Sequence, residues 1–585
     1  MLNTNSTKVV ALALLATGLA GCQKAPETAT APAATATVQA ADLVLTNGKI
    51  YTVNPEQPWA QAVAISDGKY RYIGDASGVG DLVGDDTRVI DLAGKMAMPG
   101  INDAHVHPMQ GSMKDLFECN FPFTATPDDI AAAISACVAD RPDAVWIRGG
   151  QWGSDFFVDN DIPNPREWLD AVTGDKAVYL ADDALHNAWF NSKALEILGV
   201  TADTPNPPGV EILHDPTTGE PSGVVLEVFG WLQTSLEDWP RADYLKGATH
   251  AVSVANSFGI TGMKGASASN SQITGFIDLD KEGGMTVHYA GSLQTPYGHR
   301  EEPLDVAELE VRRDQLRSAN VDTRFVKLFM DGVPTASRTA AMLAPYTAAE
   351  PGAELTDGAL HISETVLTQD LIALDKAGFT VKIHTAGDRS VRVALNAIEA
   401  ARKANGSSEL RHELAHAGYI SDEDLPRFAQ LNAVADLSPY IWSPSPIIQS
   451  VVTAVGSPRG EQYWPVKSLI ESGAPLLAGS DWPAAAANMS PWAAIEALVT
   501  RTDPVSDYPG SLWPEEAISL EQALDIFTRQ SAMALRLGEQ TGSIEIGKSA
   551  DLIVLNQNLF DVPVTAVSDT QVERVLFEGQ VVLGD

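Results

Sequence analysis

The chain has 585 residues, 45% of them hydrophobic and 20% charged, and its 76 Asp and Glu against 39 Lys and Arg leave a formal net charge of −37. Such an acidic balance excludes nucleic-acid binding through a phosphate-seeking surface. The length exceeds one ordinary domain but suits a barrel with insertions and a small satellite.

Lys8 is followed by an apolar run from Val9 to Leu15 and then by Thr17-Gly-Leu-Ala-Gly-Cys22, a stretch too short to span a membrane in the mature protein and shaped like a signal peptide. Leu19-Ala20-Gly21-Cys22 resembles a bacterial lipobox, which implies that residues 1–22 are a signal segment cleaved before Cys22 and that this cysteine is lipidated, with acyl chains enough for stable anchoring. By the same resemblance, Gln23 in place of Asp points to the outer membrane of a bacterial envelope, facing the periplasm. Ordinary secretion with a free Cys22 is the alternative. Residues 23–41, rich in Ala, Thr and Pro, lack the apolar content to bury a core and read as a tether.

From residue 42 the chain turns to β-structure: Leu43 to Val53, Ala60 to Ile65 and Tyr70 to Ile73, separated by Asn-Gly and Asp-Gly turns, read as hairpins. The far end repeats the style in Ser543 to Leu555 and Val572 to Val582. The economical arrangement is one small β-sandwich built jointly from residues 42–96 and 541–585. Two cysteines besides Cys22, Cys119 and Cys137, can pair in an oxidising compartment.

Between the two ends, strand-like and helical runs alternate. With Ala97 to His107 as the first strand, others follow at Ile260 to Met263, Thr286 to Leu293, Arg324 to Met330, Phe379 to His384, His412 to His416, Ala433 to Leu437 and Pro475 to Gly479. Helices are expected over Val306 to Ser318, Glu364 to Ala377, Ser390 to Lys403, Asp422 to Gln430 and Leu520 to Arg536, the last capped by Ser519. Eight such units predict an α/β fold, a TIM-type (β/α)8 barrel over residues 97–540 whose active site lies at the C-terminal strand ends. Residues from about 110 to 246 are then an insertion after strand one.

Candidate ligands fall at those ends. His105 and His107, one residue apart on a strand, share a face and converge on one point, half of a metal chelate. His384 closes Val381-Lys-Ile-His, and Asp388 shortly after it is a candidate cap for the next helix. His412 and His416 would share a face, and position nearer the strand end favours His416. Asp481 finishes the apolar Pro475 to Ser480 run as a carboxylate ligand or base. Lys327 lies inside the apolar run Phe325 to Met330, where an unpaired ammonium is costly and something must neutralise it. Taken singly these residues read as caps, turn acids or a core ion pair; together, at separate strand ends, they read as a site.

At these residues the chain resembles the amidohydrolase superfamily, and within it the YtcJ-like branch, amidohydrolase family 3. The resemblance is carried by Pro99-Gly100 with Asp103-Ala-His-Val-His107, Lys327 with Asp331-Gly332, His384 with Gly387-Asp388-Arg389, His416, Gly479-Ser-Asp-Trp-Pro483 and Gly542 to Leu552. Trp152-Gly153, His186 with Asn191 to Leu195, and Gly219 to Gly223 extend it through the insertion. It implies that His105, His107 and Asp481 bind one divalent ion, with zinc expected, that His384 and His416 bind a second, and that carboxylated Lys327 bridges the two. Ala415 departs from the pattern, since relatives commonly place Glu before the ligand histidine.

The activity implied is metal-dependent hydrolysis of an amide-type C–N bond of a small molecule by metal-activated hydroxide, with Asp481 as general base and then general acid. His186 is a candidate for polarising or orienting substrate, and Trp152, Trp442 and Trp482 are candidates for the pocket wall. An esterase, lactonase or deaminase would use the same site, and a non-catalytic, lipid-anchored metal- or solute-binding protein is the rival class. The lipobox carries the first test: Cys22→Ser should release the protein from the membrane fraction, and unchanged retention there would end the anchor reading.

Overall fold

The computed structural model describes residues 39–228, 231, 236, 238–349, 351–506 and 508–584. The signal segment, Cys22 and residues 23–38 of the tether lie outside the described residues. Among the described residues, no helix is long and apolar enough to cross a membrane.

Eight parallel strands form one sheet in chain order: β1 (Ile101–Val106), β2 (Ile260–Ala268), β3 (His288–Gln294), β4 (Val321–Phe329), β5 (Thr380–Thr385), β6 (Glu413–His416), β7 (Val434–Leu437) and β8 (Leu476–Ala478). The expected barrel strands are present, several with shifted ends. The sheet closes through residues that follow β8. The Asp481 N–H donates to the His105 carbonyl at 2.7 Å and the His107 N–H to the Trp482 carbonyl at 2.9 Å. Asp103 accepts the Ser480 N–H at 3.1 Å and its hydroxyl at 2.6 Å; burial pushes the Asp103 carboxyl up to about 7. Gly479 has to be glycine at this seam, because a Cβ there would collide with the His105 backbone.

The stretch expected as one strand from Ala97 to His107 is two. Met96–Pro99 belongs to a six-stranded sheet with Leu552–Leu555, Val572–Phe577, Gln580–Leu583, Lys49–Tyr51 and Trp59–Ala60, and only Ile101–Val106 enters the barrel. The break falls at Gly100, whose N–H goes to the Asp551 carbonyl at 3.1 Å and whose missing side chain makes room for Thr261. A four-stranded sheet of Lys69–Gly74, Ala62–Ser66, Leu43–Thr46 and Arg88–Asp91 accompanies it. Leu43, Leu45 and Val63 from the smaller sheet share one buried cluster with Ala97, Leu552, Val554 and Leu576 from the larger. Both chain ends thus contribute to the foot of the first barrel strand.

The insertion begins later than expected. Pro108–Phe117 is a helix that packs on Arg241–Ser257, the helix leading into β2, so the intruding segment runs from about 118 to 240. It has a six-stranded sheet of its own and a separate buried cluster that includes Ile130, Ile147, Leu169 and Trp189. Cys119 and Cys137 are joined with Cα atoms 5.9 Å apart, tying the edge strand Cys119–Asn120 to the helix Pro127–Asp140. Ser519 caps its helix as expected, accepting the Gln522 N–H; a wide turn at Ile526–Gln530 interrupts that helix, which ends at Ala534. Asp388 does not cap. Its carboxylate accepts the Leu343 N–H at 2.6 Å, and Gly387 takes the capping position.

Candidate active site

The site is built where barrel strands end: His105 and His107 at the end of β1, Lys327 near the end of β4, His384 in β5, His416 closing β6 and Asp481 just after β8 bring their side chains from five strand ends to a common point. His105 Nε2 and His107 Nε2 lie 3.3 and 3.2 Å from Asp481 Oδ1, and His416 Nδ1 lies 3.7 Å from Asp481 Oδ2. The His384 ring is centred 4.5 Å from that of His416. His416 and Asp481 both hold positive φ, 75° and 57°, a left-handed backbone that non-glycine residues adopt at a cost and that clusters at functional sites.

Burial strips two of these imidazoles of charge. It lowers His416 to about 3 and His384 well below the ordinary histidine value, which leaves both rings in the neutral, metal-ligating form. Burial alone would raise Asp481, but His105, His107 and His416 outweigh it and hold the carboxylate well below its usual range. His105 Nε2 and Asp481 Oδ1 are buried with no hydrogen-bond partner among the described residues, and ligand atoms of His105, His416 and Asp481 lie within 4.8 Å of one another. Buried polar atoms left unpaired are expensive, and imidazole with carboxylate is a donor set for zinc-like ions. The residues fit a divalent ion.

Lys327 faces the same point. Burial and the nearby Lys382 lower its ammonium to about 8; among the described residues its Nζ has no hydrogen bond or ion pair and lies over the Phe329 ring, 4.9 Å from the centroid. Neither Asp331 nor Asp481 pairs with it: Asp331 accepts the N–H groups of Ala341, Ala386 and Gly387 and the Ser390 hydroxyl, and Asp481 faces the histidines. His412 settles the choice left open by alternation. It is fully buried before β6, with Nε2 3.0 Å from Asp375 and Nδ1 accepting the Val381 N–H, so His416 alone of the pair enters the site.

Beneath the histidines lies a chain of buried charge that the sequence reading missed. His105 Nδ1 is 2.6 Å from Asp436 Oδ2, Asp436 also pairs with Lys382, Lys382 lies 2.9 Å from Glu413, and Glu413 pairs with Lys264. All four charged residues are completely buried. The signal was available: Lys264 and Lys382 interrupt apolar strands just as Lys327 does. His105 Nδ1 held by Asp436 turns Nε2 toward Asp481, the usual way an outer carboxylate orients a ligand histidine.

A cavity of about 740 Å³ opens over these groups, with His107, Lys327, His384, His416 and Asp481 in its wall and Leu185, Tyr297, Phe329 and Ile441 giving apolar surface. None of the tryptophans expected there lines it. The Trp152 indole donates to the Leu180 carbonyl and that of Trp442 to Ala494, while Trp482 covers Gly111, where any side chain would collide with it. Each is a large apolar ring taken up by packing. His186 does line the cavity, its ring centred 5.1 Å from that of His384; its Nδ1 is 2.9 Å from Glu227.

The amidohydrolase family model matches residues 88–583. Protein LONG AFTER FAR-RED 3 of Arabidopsis thaliana is 29% identical over 539 residues, 89% of this chain and 88% of that protein. An N-substituted formamide deformylase of Arthrobacter pascens is 27% identical over 561 residues, covering 92% and 98%. The structure of an uncharacterized metal-dependent hydrolase from Pyrococcus furiosus superposes with a TM-score of 0.64 at 25% identity, over 88% of this chain and 99% of that one.

The outer contact to His105 is directly testable. Asp436→Asn should weaken metal affinity by about 10- to 100-fold, measured by titrating the metal-stripped protein with zinc; unchanged affinity would show that Asp436 does not orient the ligand.

Proposed function

The chain belongs to the amidohydrolase family, and from that premise we propose that this metal-dependent C–N hydrolase cleaves the amide-type bond of a small N-acyl or N-formyl amine. The observation that carries the proposal is the convergence of His105, His107, His384, His416 and Asp481 on one point beside an unpaired, buried Lys327, under a cavity sized for a small molecule. The formamide deformylase relative, aligned over nearly the whole chain, supports the choice of amide substrate. When bound, a divalent ion supplies Lewis acidity, lowering the pKa of water toward about 7 and polarising a carbonyl.

The chain's own residues do the rest. His105, His107 and Asp481 would hold one zinc ion, and His384 and His416 would hold a second. Lys327, whose amine burial keeps closer to its neutral, nucleophilic form than an ordinary lysine, adds carbon dioxide at Nζ and loses a proton. The resulting carbamate would replace a buried cation by an anion whose oxygens are further donors for divalent ions. Asp481 Oδ2 takes a proton from the attacking water and passes it to the leaving nitrogen. His186, in the cavity wall beside His384, orients the substrate. Anchoring through a lipidated Cys22 places the enzyme on the periplasmic face of the outer membrane, a reading that rests on Leu19 to Gln23.

A panel of N-formyl amines, N-acyl amino acids, small amides and esters tests the substrate class; turnover confined to the esters would overturn the C–N assignment. Asp481→Asn should lower turnover by roughly two to four orders of magnitude, the scale of lost general acid–base catalysis, and a near-native rate with metal still bound would remove Asp481 from proton transfer. Lys327→Ala should reduce the metal content found by elemental analysis from two ions to one. A fully active wild type holding a single ion, with an unmodified lysine, would refute the bridged pair.

A further inference from the structure

The insertion meets the catalytic rim with a buried carboxylate. Glu227 follows the strand Pro221–Leu226, holds a positive φ of 53° and is 3% exposed. Its Oε2 lies 2.9 Å from His186 Nδ1 and accepts the Tyr297 hydroxyl. Its Oε1 accepts the Thr339 hydroxyl at 2.6 Å, and its N–H goes to Asn187 Oδ1 at 3.2 Å. Gly332, next to Asp331, has no room for a side chain, because Glu227 Oε1 and Thr339 Oγ1 occupy that space. Tyr297 comes just after β3, and Gly332 and Thr339 come after β4, so one carboxylate is gripped by the insertion and by two barrel strand ends.

The donors around it fix where the His186 proton sits. Tyr297 Oη is also 3.2 Å from His186 Nδ1, and since its hydroxyl hydrogen points at Glu227, its oxygen accepts there. Nδ1 therefore faces two acceptors and carries hydrogen. The ring lines the cavity, and with Nδ1 turned to Glu227 the Nε2 edge lies on the opposite side of the imidazole.

We propose that Glu227 is a positioning residue for catalysis: through Nδ1 it fixes the rotamer and tautomer of His186, so that the Nε2 edge meets the substrate beside His384. The hydroxyls of Tyr297 and Thr339 also tie the insertion to the barrel through this carboxylate, and a carboxylate buried away from water is tolerated only when paired and hydrogen-bonded. The proposal rests on the reading of His186 as a substrate-facing group.

The test is a mutant cycle on the metal-loaded full chain, with kcat and KM measured on whichever N-formyl or N-acyl amine the wild type hydrolyses. Glu227→Ala should lower kcat by about 10- to 100-fold, the scale of removing an outer partner of a working imidazole. Glu227→Gln, whose amide oxygen still accepts from Nδ1, should restore most of the loss. The double variant His186→Ala/Glu227→Ala should be no slower than His186→Ala alone, because two residues that act as a unit are not additive. Losses that multiply, or an unchanged kcat in Glu227→Ala, overturn the proposal.

Nitrogen-15 NMR of histidine-labelled protein gives a second readout that needs no substrate. The His186 signal, identified by its loss in His186→Ala, should report a protonated Nδ1 in the wild type, and hydrogen on Nε2 alone overturns the proposal even if Glu227→Ala fails to fold. A wild type that hydrolyses nothing in the panel removes the functional reading, while the NMR result still decides whether Glu227 fixes the ring.

Discussion

The arrangement depends on buried charge run through the axis of the barrel. Lys264, Glu413, Lys382 and Asp436 form a continuous series that ends on His105 Nδ1, in a position where other barrels stack aliphatic layers. Buried ion pairs are weak contributors to stability, since desolvation offsets most of their attraction, and hydrophobic replacements of the same volume are often neutral or better. What such a series supplies is orientation. Opposite charges alternate from β2 to β6 to β5 to β7, and the last carboxylate sets which nitrogen of His105 faces the rim.

The rim shows the same economy with backbone groups. Asp331, buried and raised by that burial to about 7, gathers three N–H groups and a hydroxyl from the segments on either side of it, and so sets the course of the chain leaving β4 and β5. With its oxygens taken by those donors, it does not neutralise Lys327. Asp103 does the equivalent work at the seam between the first and last strands. Two buried acids are thus consumed in holding the loops from which the ligands project.

Much of this was legible in the sequence because the signals were periodic or chemically unusual. Histidines one residue apart, an aspartate ending an apolar run and a lysine inside one all mark sites where ordinary packing has no use for the residue. The alternation of strands and helices gave the barrel for the same reason. What stayed hidden depended on partners distant along the chain. Gly100 does not announce that the strand changes sheets there, since the reason is Thr261 lying against it. Trp152 and Trp482 look like pocket residues until their neighbours are known. Glu227 sits in an unremarkable run, Val224-Val-Leu-Glu227, and gains meaning only when Tyr297 and Thr339 fold onto it.

The pairing of Met96–Pro99 with Leu552–Leu555 has a consequence in time. The strand that leads straight into His105 has one neighbour, Lys49–Tyr51, made before it, but the other lies in the last part of the chain, so during synthesis or export it waits for nearly all later residues before it is braced on both sides. Contacts of such long sequence separation form late and slowly. The first ligands to be made therefore belong to one of the last regions to be fixed, and completion of the chain acts as the step that commits the centre to its final shape.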